Sequence, residues 1–296
     1  MAETIQARTI SQTKPGIRVG TLQWHKVPDL IAILVLSVGA LLMMLPFLWM
    51  FSTSLRPIQE SFKLPPAWFP TEFHFETYTA VFQSSVPIVN FAMNSVKVTF
   101  FVTLGQLITC SMAGYAFARL RFPFRNTLFL LLLASLMVPG QVTIIPVFII
   151  MKQLGLIDNH LSIILPFLTS AFGVFLLRQF FLTIPRDYDD AAYIDGCNPL
   201  SLFWRIHLPL SLPALGVVNI FQLTFIWNDF INPLIYLHKE PQFTVALGLR
   251  LFQGRMSNNM QDLMAASLIA VLPTLIVFFF AQRYFVQGIV VSGVKG

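Results

Sequence analysis

The chain has 296 residues, of which 56% are hydrophobic and 11% charged, with a mean hydropathy of +0.72 and a net charge of +6. Soluble domains carry about 25% charged residues, so a soluble globular protein is excluded. The positive balance does not point to nucleic acid, because the basic residues are scattered between apolar runs, where the positive-inside rule places them.

Residues 1–28 are polar and net basic, with Arg8, Lys14, Arg18 and Lys26, and read as a cytoplasmic tail with Trp24 near the membrane interface. No cleavable signal peptide is expected, since the first hydrophobic segment follows this tail and is too long for a signal h-region. That segment, 29–54, is the first of several apolar runs of about 20 residues, the length that crosses a bilayer. A loop containing PPAWFP and EFHFETY follows, too polar to span and too aromatic for an unstructured linker. The second span, 91–117, ends in a short basic turn with Arg119, Arg121 and Arg125. In the third, 127–151, Pro139, Gly140 and Pro146 predict a kinked or partly unwound helix. The fourth runs 161–182. After a polar stretch, 183–209, comes the fifth and most polar span, 210–237, with Asn219, Gln222, Asn228, Asp229 and Asn232. A loop over 238–262 leads to the sixth, 263–286, and residues 287–296 read as a second tail. The expected architecture is therefore an all-α membrane protein of six transmembrane helices, with both termini on one side. The N-terminal tail, the 118–126 turn, the 178–209 stretch and the C-terminal end (Arg283, Lys295) hold twelve Lys and Arg, against six in the opposite loops (Arg56, Lys63, Lys152, Lys239, Arg250, Arg255), which makes both termini cytoplasmic. Cys110 lies in a span and Cys197 in the polar stretch, so both are read as reduced and structural.

The polar stretch Pro185–Pro213 carries four Asp residues (Asp187, Asp189, Asp190, Asp195) and reads as ordered. Asp187 is placed to cap a short helix with an acidic first turn. Gly196 stands where a left-handed C-cap belongs, and Asn198 offers a second N-cap with Pro199 at the first helical position. Two short helices joined by a glycine turn between spans suggest a docking element. In the fifth span, helical spacing puts Asn228 and Asn232 on one face and Asp229 about 100° away. Such groups, beside Trp227, Phe230 and Tyr236, suit either a solute cavity or hydrogen bonds between helices.

Absences narrow the chemistry. The chain has no GxxxxGK[ST] phosphate loop, no HExxH and no GxSxG, and its five His are widely separated. That argues against ATP binding in the usual way, a metal site or a protease. Asp229 is the one acidic side chain well inside a span, with Lys97 as a basic counterpart in the second, which is thin equipment for an ion-coupled carrier.

The run Asp190-Ala191-Ala192-x-x-Asp195-Gly196, then Phe203, Ile206, Leu208-Pro209-Leu210 and Pro213, resembles the "EAA" loop of bacterial ABC-importer permeases. YAFARLRFP (Tyr115–Pro123), FIWNDFINPLI and the closing GVKG extend the likeness over nearly the whole chain, to the maltose-transporter-type sugar permeases and to the six-span partner of their heterodimeric pair. The resemblance implies that the helix with Asp190, Ala191, Ala192, Ile194, Asp195, Gly196 and Phe203 sits in a cleft of an ATPase subunit and carries its closing motion into the membrane. Small Ala191 and Ala192 would admit a close surface, Ile194 would anchor it, and Asp190 would face a basic partner. The family usually has Glu at Asp190. The loop Gln253, Gly254, Arg255, Ser257, Asn258 and Asn259 matches in position the family loop that reaches into the binding protein; its alternative is a plain surface loop. The tail Val294, Lys295 and Gly296 resembles the family tail entering the ATPase dimer interface; its alternative is a frayed terminus. Trp227, Asn228, Asp229 and Asn232 remain candidates for the translocation path, although the resemblance places most sugar contacts on the other permease.

The expected function is a non-catalytic, multi-pass subunit in the bacterial inner membrane, half of the path of a binding-protein-dependent ABC importer for a sugar or sugar derivative. Its partners would be a second homologous permease, an ATPase dimer and a soluble binding protein. ATP and Mg belong to the ATPase, and this chain needs no cofactor or metal of its own. The alternatives are an ion-coupled secondary transporter using Asp229 and Lys97, a polytopic membrane enzyme, and an ABC permease for a non-sugar solute.

Overall fold

The structure is a computed structural model that describes residues 27–60, 68–255 and 259–293. No strand occurs among them. By its contacts the chain forms two compact units, residues 1–48 and 49–296. Of the first, the described part is the start of helix α1 (Val27–Ser54), whose stretch from Leu30 has a mean hydropathy of 2.6 and is apolar on nearly every side, as a membrane span is.

In the second unit the loop after α1 is ordered where it is described. Trp68 packs edge-on against Trp49 with ring centroids 5.1 Å apart, and Arg56 lies over the Trp49 ring. A short helix the sequence did not reveal, α2 (Glu76–Gln83), then leads to α3 (Ile88–Arg119). At 32 residues, α3 extends beyond the expected 91–117 at both ends and is about 48 Å long.

Helix α3 contributes to all three buried apolar clusters among the described residues. Its buried face mixes apolar residues (Phe91, Val98, Val102, Tyr115) with small or polar ones (Ser95, Thr99, Thr103, Gln106, Ser111, Gly114), while Phe100, Phe101, Leu104 and Met112 face outward. That pattern suits a helix whose outer solvent is lipid and whose neighbours must come close. The closest neighbour is α7 (Ala171–Thr183). A Cβ on Gly114 would lie 3.0 Å from the Arg178 backbone nitrogen, and one on Gly173 would lie 3.0 Å from Cys110 Sγ.

Three of the expected spans are broken. The third divides into α4 (Arg125–Ser135) and α5 (Gly140–Gln153), which meet at 100°, a corner rather than the expected kink. The fourth begins as α6 (Leu161–Ile164), tightens into a 3-10 turn, and unwinds over 168–170 before α7. Its freed carbonyls are taken by α3: Gln106 Nε2 donates to Phe167 O at 2.8 Å and Thr109 Oγ1 to Leu168 O at 2.6 Å, as exposed backbone inside a membrane protein requires. The fifth span, whose prolines make a broken helix the expectation, stops at Trp227, so α11 (Leu212–Trp227) and α12 (Ile231–Tyr236) together occupy the expected 210–237.

Between α7 and α11 lie α8 (Asp187–Ile194), α9 (Pro199–Leu202), a π turn over Phe203–His207 and α10 (Leu208–Leu210). The segment read as a loop over 238–262 contains α13 (Val245–Arg255), which buries Val245, Leu247 and Phe252. The last helix, α14 (Met260–Gly293), runs past the expected boundary at 286 into what was read as a tail. Among the described residues four helices are long and apolar enough to cross a membrane, or up to six if the bent pairs α4–α5 and Pro199–Leu210 with α11 each count as one span.

Candidate functional site

Helix α8 begins with Asp187, Asp189 and Asp190 in its first turn, a favourable place for negative charge beside the helix dipole. Asp187 does not cap it, contrary to expectation. Arg186 holds the cap position with helical backbone and no side-chain bond, so Asp187 is the first helical residue. The other end is built as its residues predict. Gly196 has φ +78, and the N–H groups of Gly196 and Cys197 donate to the carbonyls of Tyr193 (3.1 Å) and Ala192 (2.9 Å), which closes the helix with a left-handed turn. Asn198 Oδ1 then accepts from Ser201 N at 2.7 Å, with Pro199 at the first helical position of α9.

This turn chemistry gives α8 two different faces. Asp190, Ala191, Ile194, Asp195 and Gly196 are exposed, Ile194 by 87%. A groove of ≈ 610 Å³ lies beside the helix, bordered among others by Asp187, Tyr188, Ala191, Ala192, Asp195 and Ile206. Ala192 and Asp189 point inward. Both small residues expected to admit a partner surface border this groove, Ala191 exposed and Ala192 buried against the interior. Phe203 is also placed inside, with its ring 5.2 Å from that of Tyr115, and belongs to the core rather than to a docking face.

The inward face is held by polar contacts. Asp189 Oδ2 accepts from Arg119 Nη1 at 3.2 Å, and Oδ1 pairs with His207 Nε2 at 2.7 Å. Arg119 Nη2 donates to the carbonyls of Phe181 and Ile184, at the end of α7. Tyr115 OH donates to Pro199 O at 3.0 Å, and its ring lies 5.0 Å from the imidazole of His207. His207 is fully buried, and its Nδ1 has no hydrogen-bond partner among the described residues. Burial pushes its pKa down, partly offset by the bond to Asp189 and its charge. The neutral form with its proton on Nε2 fits both nitrogens.

Tyr115, Arg119, Asp189 and His207 carried no role in the sequence reading. The signal available was weak: a basic residue closing a span, one Asp among four, and a histidine just before Leu208-Pro209. Which Asp turns inward is decided by an arginine 70 residues away.

The fifth-span group is arranged otherwise than expected. Because α11 ends at Trp227, Asn228 and Asn232 do not share a helix face. Asp229 accepts from the backbone N (3.2 Å) and Nδ2 (2.9 Å) of Asn232, which closes the start of α12, while Asn228 Nδ2 bonds back to Thr224 O. Trp227 is buried, and its Nε1 donates to Ala270 O of α14 at 3.0 Å. It also borders a cavity of ≈ 380 Å³ between α3, α11 and α14, whose polar lining is Thr99, Thr103 and Asn219. Lys97 is exposed and makes no ion pair with Asp229 among the described residues. Gln253, Gly254 and Arg255 form the last turn of α13 rather than a loop, and Asn259 bonds Asp262 at the start of α14. Ser257, Asn258, Val294, Lys295 and Gly296 lie outside the described residues.

Residues 106–291 match the family described as "Binding-protein-dependent transport system inner membrane component". The arabinooligosaccharides transport system permease protein AraQ of Bacillus subtilis (strain 168) is 38% identical over 259 residues, covering 87% of this chain and 92% of that protein. The lactose transport system permease protein LacG of Rhizobium radiobacter is 34% identical over 271 residues, 90% of this chain and 97% of that one. Among solved structures, a chain of a bacterial ABC transporter involved in the import of the acidic polysaccharide alginate superposes with a TM-score of 0.77 at 23% identity, covering 88% of this chain and 99% of that one, a likeness of fold.

Proposed function

Because the chain belongs to the binding-protein-dependent transport system inner membrane components, and is thus a permease of an ABC importer, we propose that its cargo is a sugar or oligosaccharide and that α8 is where a separate ATPase subunit drives it. The cargo class rests on the relatives, which are named for arabinooligosaccharides and lactose. The driving site rests on one observation: α8 leaves Tyr188, Ala191 and Asp195 open along a groove, with Ile194 exposed at its end, while its other face is locked to α3 and the Phe203–His207 π turn. A surface connection needs no such two-sided construction.

On this reading the α8 side, both termini and the Arg119–Arg125 turn are cytoplasmic. The partners are an ATPase dimer, which holds ATP and Mg, and a second homologous permease that completes the path. Asp190 and Asp195 meet basic groups of the ATPase. Gln253–Asn259 faces the binding protein, and Val294–Gly296 reaches the ATPase interface. Closure of the ATPase on its nucleotide pushes α8, the core helices turn, and the path opens outward to receive solute. This chain does no chemistry of its own. Asn228, Asp229 and Asn232 serve the helix break rather than the solute, since their hydrogen-bonding groups are largely engaged locally.

The test is to purify the chain in mild detergent, identify the proteins that come with it, and screen solutes with the binding protein for those that raise the ATPase rate. Co-purification of an ATPase subunit and stimulation by a saccharide are expected. Solute movement driven by an ion gradient through the chain alone would refute the reading.

A further inference from the structure

Docking explains the outer face of α8 but not the inner one. The first turn holds three acidic residues, and the one that turns inward meets two basic side chains at once. Exposure of the side chains is 12% for Asp189, 5% for Arg119 and 0% for His207. We propose that Asp189 is the residue through which movement of the coupling helix reaches α3, with Arg119 and His207 as its two anchors. This rests on α8 being the docking helix and names the route by which its displacement enters the bundle.

The route follows from what is and is not covalently joined. Helix α8 follows α7 after a short link over 184–186 and leads toward α11 through α9 and α10, so the chain itself moves those elements. Helix α3 is different. It lines all three buried clusters of the bundle, yet it is far from α8 in sequence and is tied to it through the Arg119–Asp189 side-chain pair. Apolar contacts between two helices are non-directional and let surfaces slide. A buried charge pair with fixed hydrogen-bond angles does not, because a shift of about 1 Å takes its bonds out of range in a medium that screens little.

The fork of Arg119 spans two helices. Nη1 holds the Asp189 carboxylate, and Nη2 holds the Phe181 and Ile184 carbonyls where the dipole of α7 is negative. The carboxylate cannot swing to follow one partner alone, because its other oxygen is bound to His207 of the π turn. The bond from Tyr115 to Pro199 adds a second tie between α3 and the α8–α9 unit, one turn earlier on α3. One carboxylate thus joins α8, α3 and the 203–207 turn. Asp187, Asp190 and Asp195 are exposed and have no such anchors among the described residues, which separates docking acids from the coupling acid. Asp189 is a positioning residue: it touches neither solute nor nucleotide.

The test uses the complete reconstituted importer with variants in this chain, and reads solute moved per ATP hydrolysed. Asp189→Asn is expected to lower that ratio about ten-fold, within the range of coupling between distant sites, while the ATPase subunits still co-purify. Arg119→Gln should do the same, and the double variant should be no worse than either single one. A merely structural role would reduce the amount of complex and leave the ratio unchanged. A native ratio in Asp189→Asn, or additive losses in the double variant, would overturn the proposal. Should Asp189→Asn fail to assemble, His207→Gln, which keeps a donor, is expected to hold the ratio, and His207→Leu to lower it; equal ratios in the two would overturn the proposal. Absence of any ATPase from the native preparation would instead refute the docking reading.

Discussion

Replacing Thr109 by Val tests whether α3 supports the unwound part of the fourth span. Val keeps the shape and β-branching of Thr, so packing against α7 is preserved and the change is confined to one donor. Thr109 Oγ1 lies 2.6 Å from Leu168 O, in the stretch over 168–170 that has left the helix. Hydrogen bonds between membrane helices are worth about 0.6 kcal/mol on average and about 1.7 at most, because a side chain released from one partner finds another. Here the acceptor is a backbone carbonyl held between two short helices, and an unsatisfied backbone group away from water costs more than a mobile side chain does. The expected loss is therefore in the upper part of that range or just above it, about 1–2 kcal/mol. At roughly 2–4 °C per kcal/mol for a chain of this size, the midpoint of thermal unfolding should fall by roughly 2–8 °C. The adjacent Cys110 is a ready reporter. It is 0% exposed, so in a Cys197→Ser background its reaction with a thiol-reactive fluorophore follows the opening of this region in detergent. Thr183→Val is the control, because its hydroxyl bonds the Phe180 carbonyl of its own helix and is exposed. Equal midpoints for the two variants would refute the claim that α3 holds the break together.

Other consequences are as direct. At Gly196 (φ +78) nothing lies within 4 Å of a built Cβ, so Gly196→Ala should cost only the left-handed backbone penalty, about 1–2 kcal/mol, and Gly196→Asn less; equal thermal midpoints for the two would contradict this. The buried imidazoles of His207 and His160 have lowered pKa values, each because burial disfavours the charged form. Their unfolded forms then bind more protons below about pH 6.5. Stability should be full above that pH and fall as pH drops toward the lowered native values, and His207→Gln should flatten part of the decline; an unchanged pH profile would speak against it. Asp158 adopts φ +61 and accepts from His238 N and Lys239 N, pinning the turn after α5 to the end of α12. Asp158→Ala should cost about 1–3 kcal/mol, whereas Asp158→Asn should be mild because Asn keeps the acceptor and tolerates the backbone; similar unfolding midpoints would contradict that account.

What was legible in the sequence is what local chemistry decides. Gly196, Asn198 and Pro199 place the turn of the docking unit because a positive φ, a side-chain cap and a fixed φ each demand particular residues at particular places. The apolar runs announced the spans for the same reason. The place of the break, 228–230, stayed hidden, since Asn and Asp at helical spacing look like a polar stripe until Asp229 is seen closing the next helix through Asn232. Helix α13 was hidden by its setting in a polar loop, although Val245, Leu247 and Phe252 bury one side. The unwound fourth span was invisible because its support, Gln106 and Thr109, lies on another helix about 60 residues away. The inward turn of Asp189 was likewise a tertiary fact.

The claim that α8 receives force from a nucleotide-hydrolysing partner is tested most directly at its tip. Ile194, 87% exposed, is replaced by Cys in the Cys197→Ser background, and the whole membrane complex is treated with a short bifunctional thiol- and amine-reactive cross-linker with and without ATP. Met137→Cys, 85% exposed at the corner between α4 and α5, is the control. The account predicts that Cys at 194 joins an ATPase subunit in a yield that changes with nucleotide, and that Cys at 137 does not. A transport-competent complex in which the cysteine at 194 joins no ATPase subunit under either condition would contradict it.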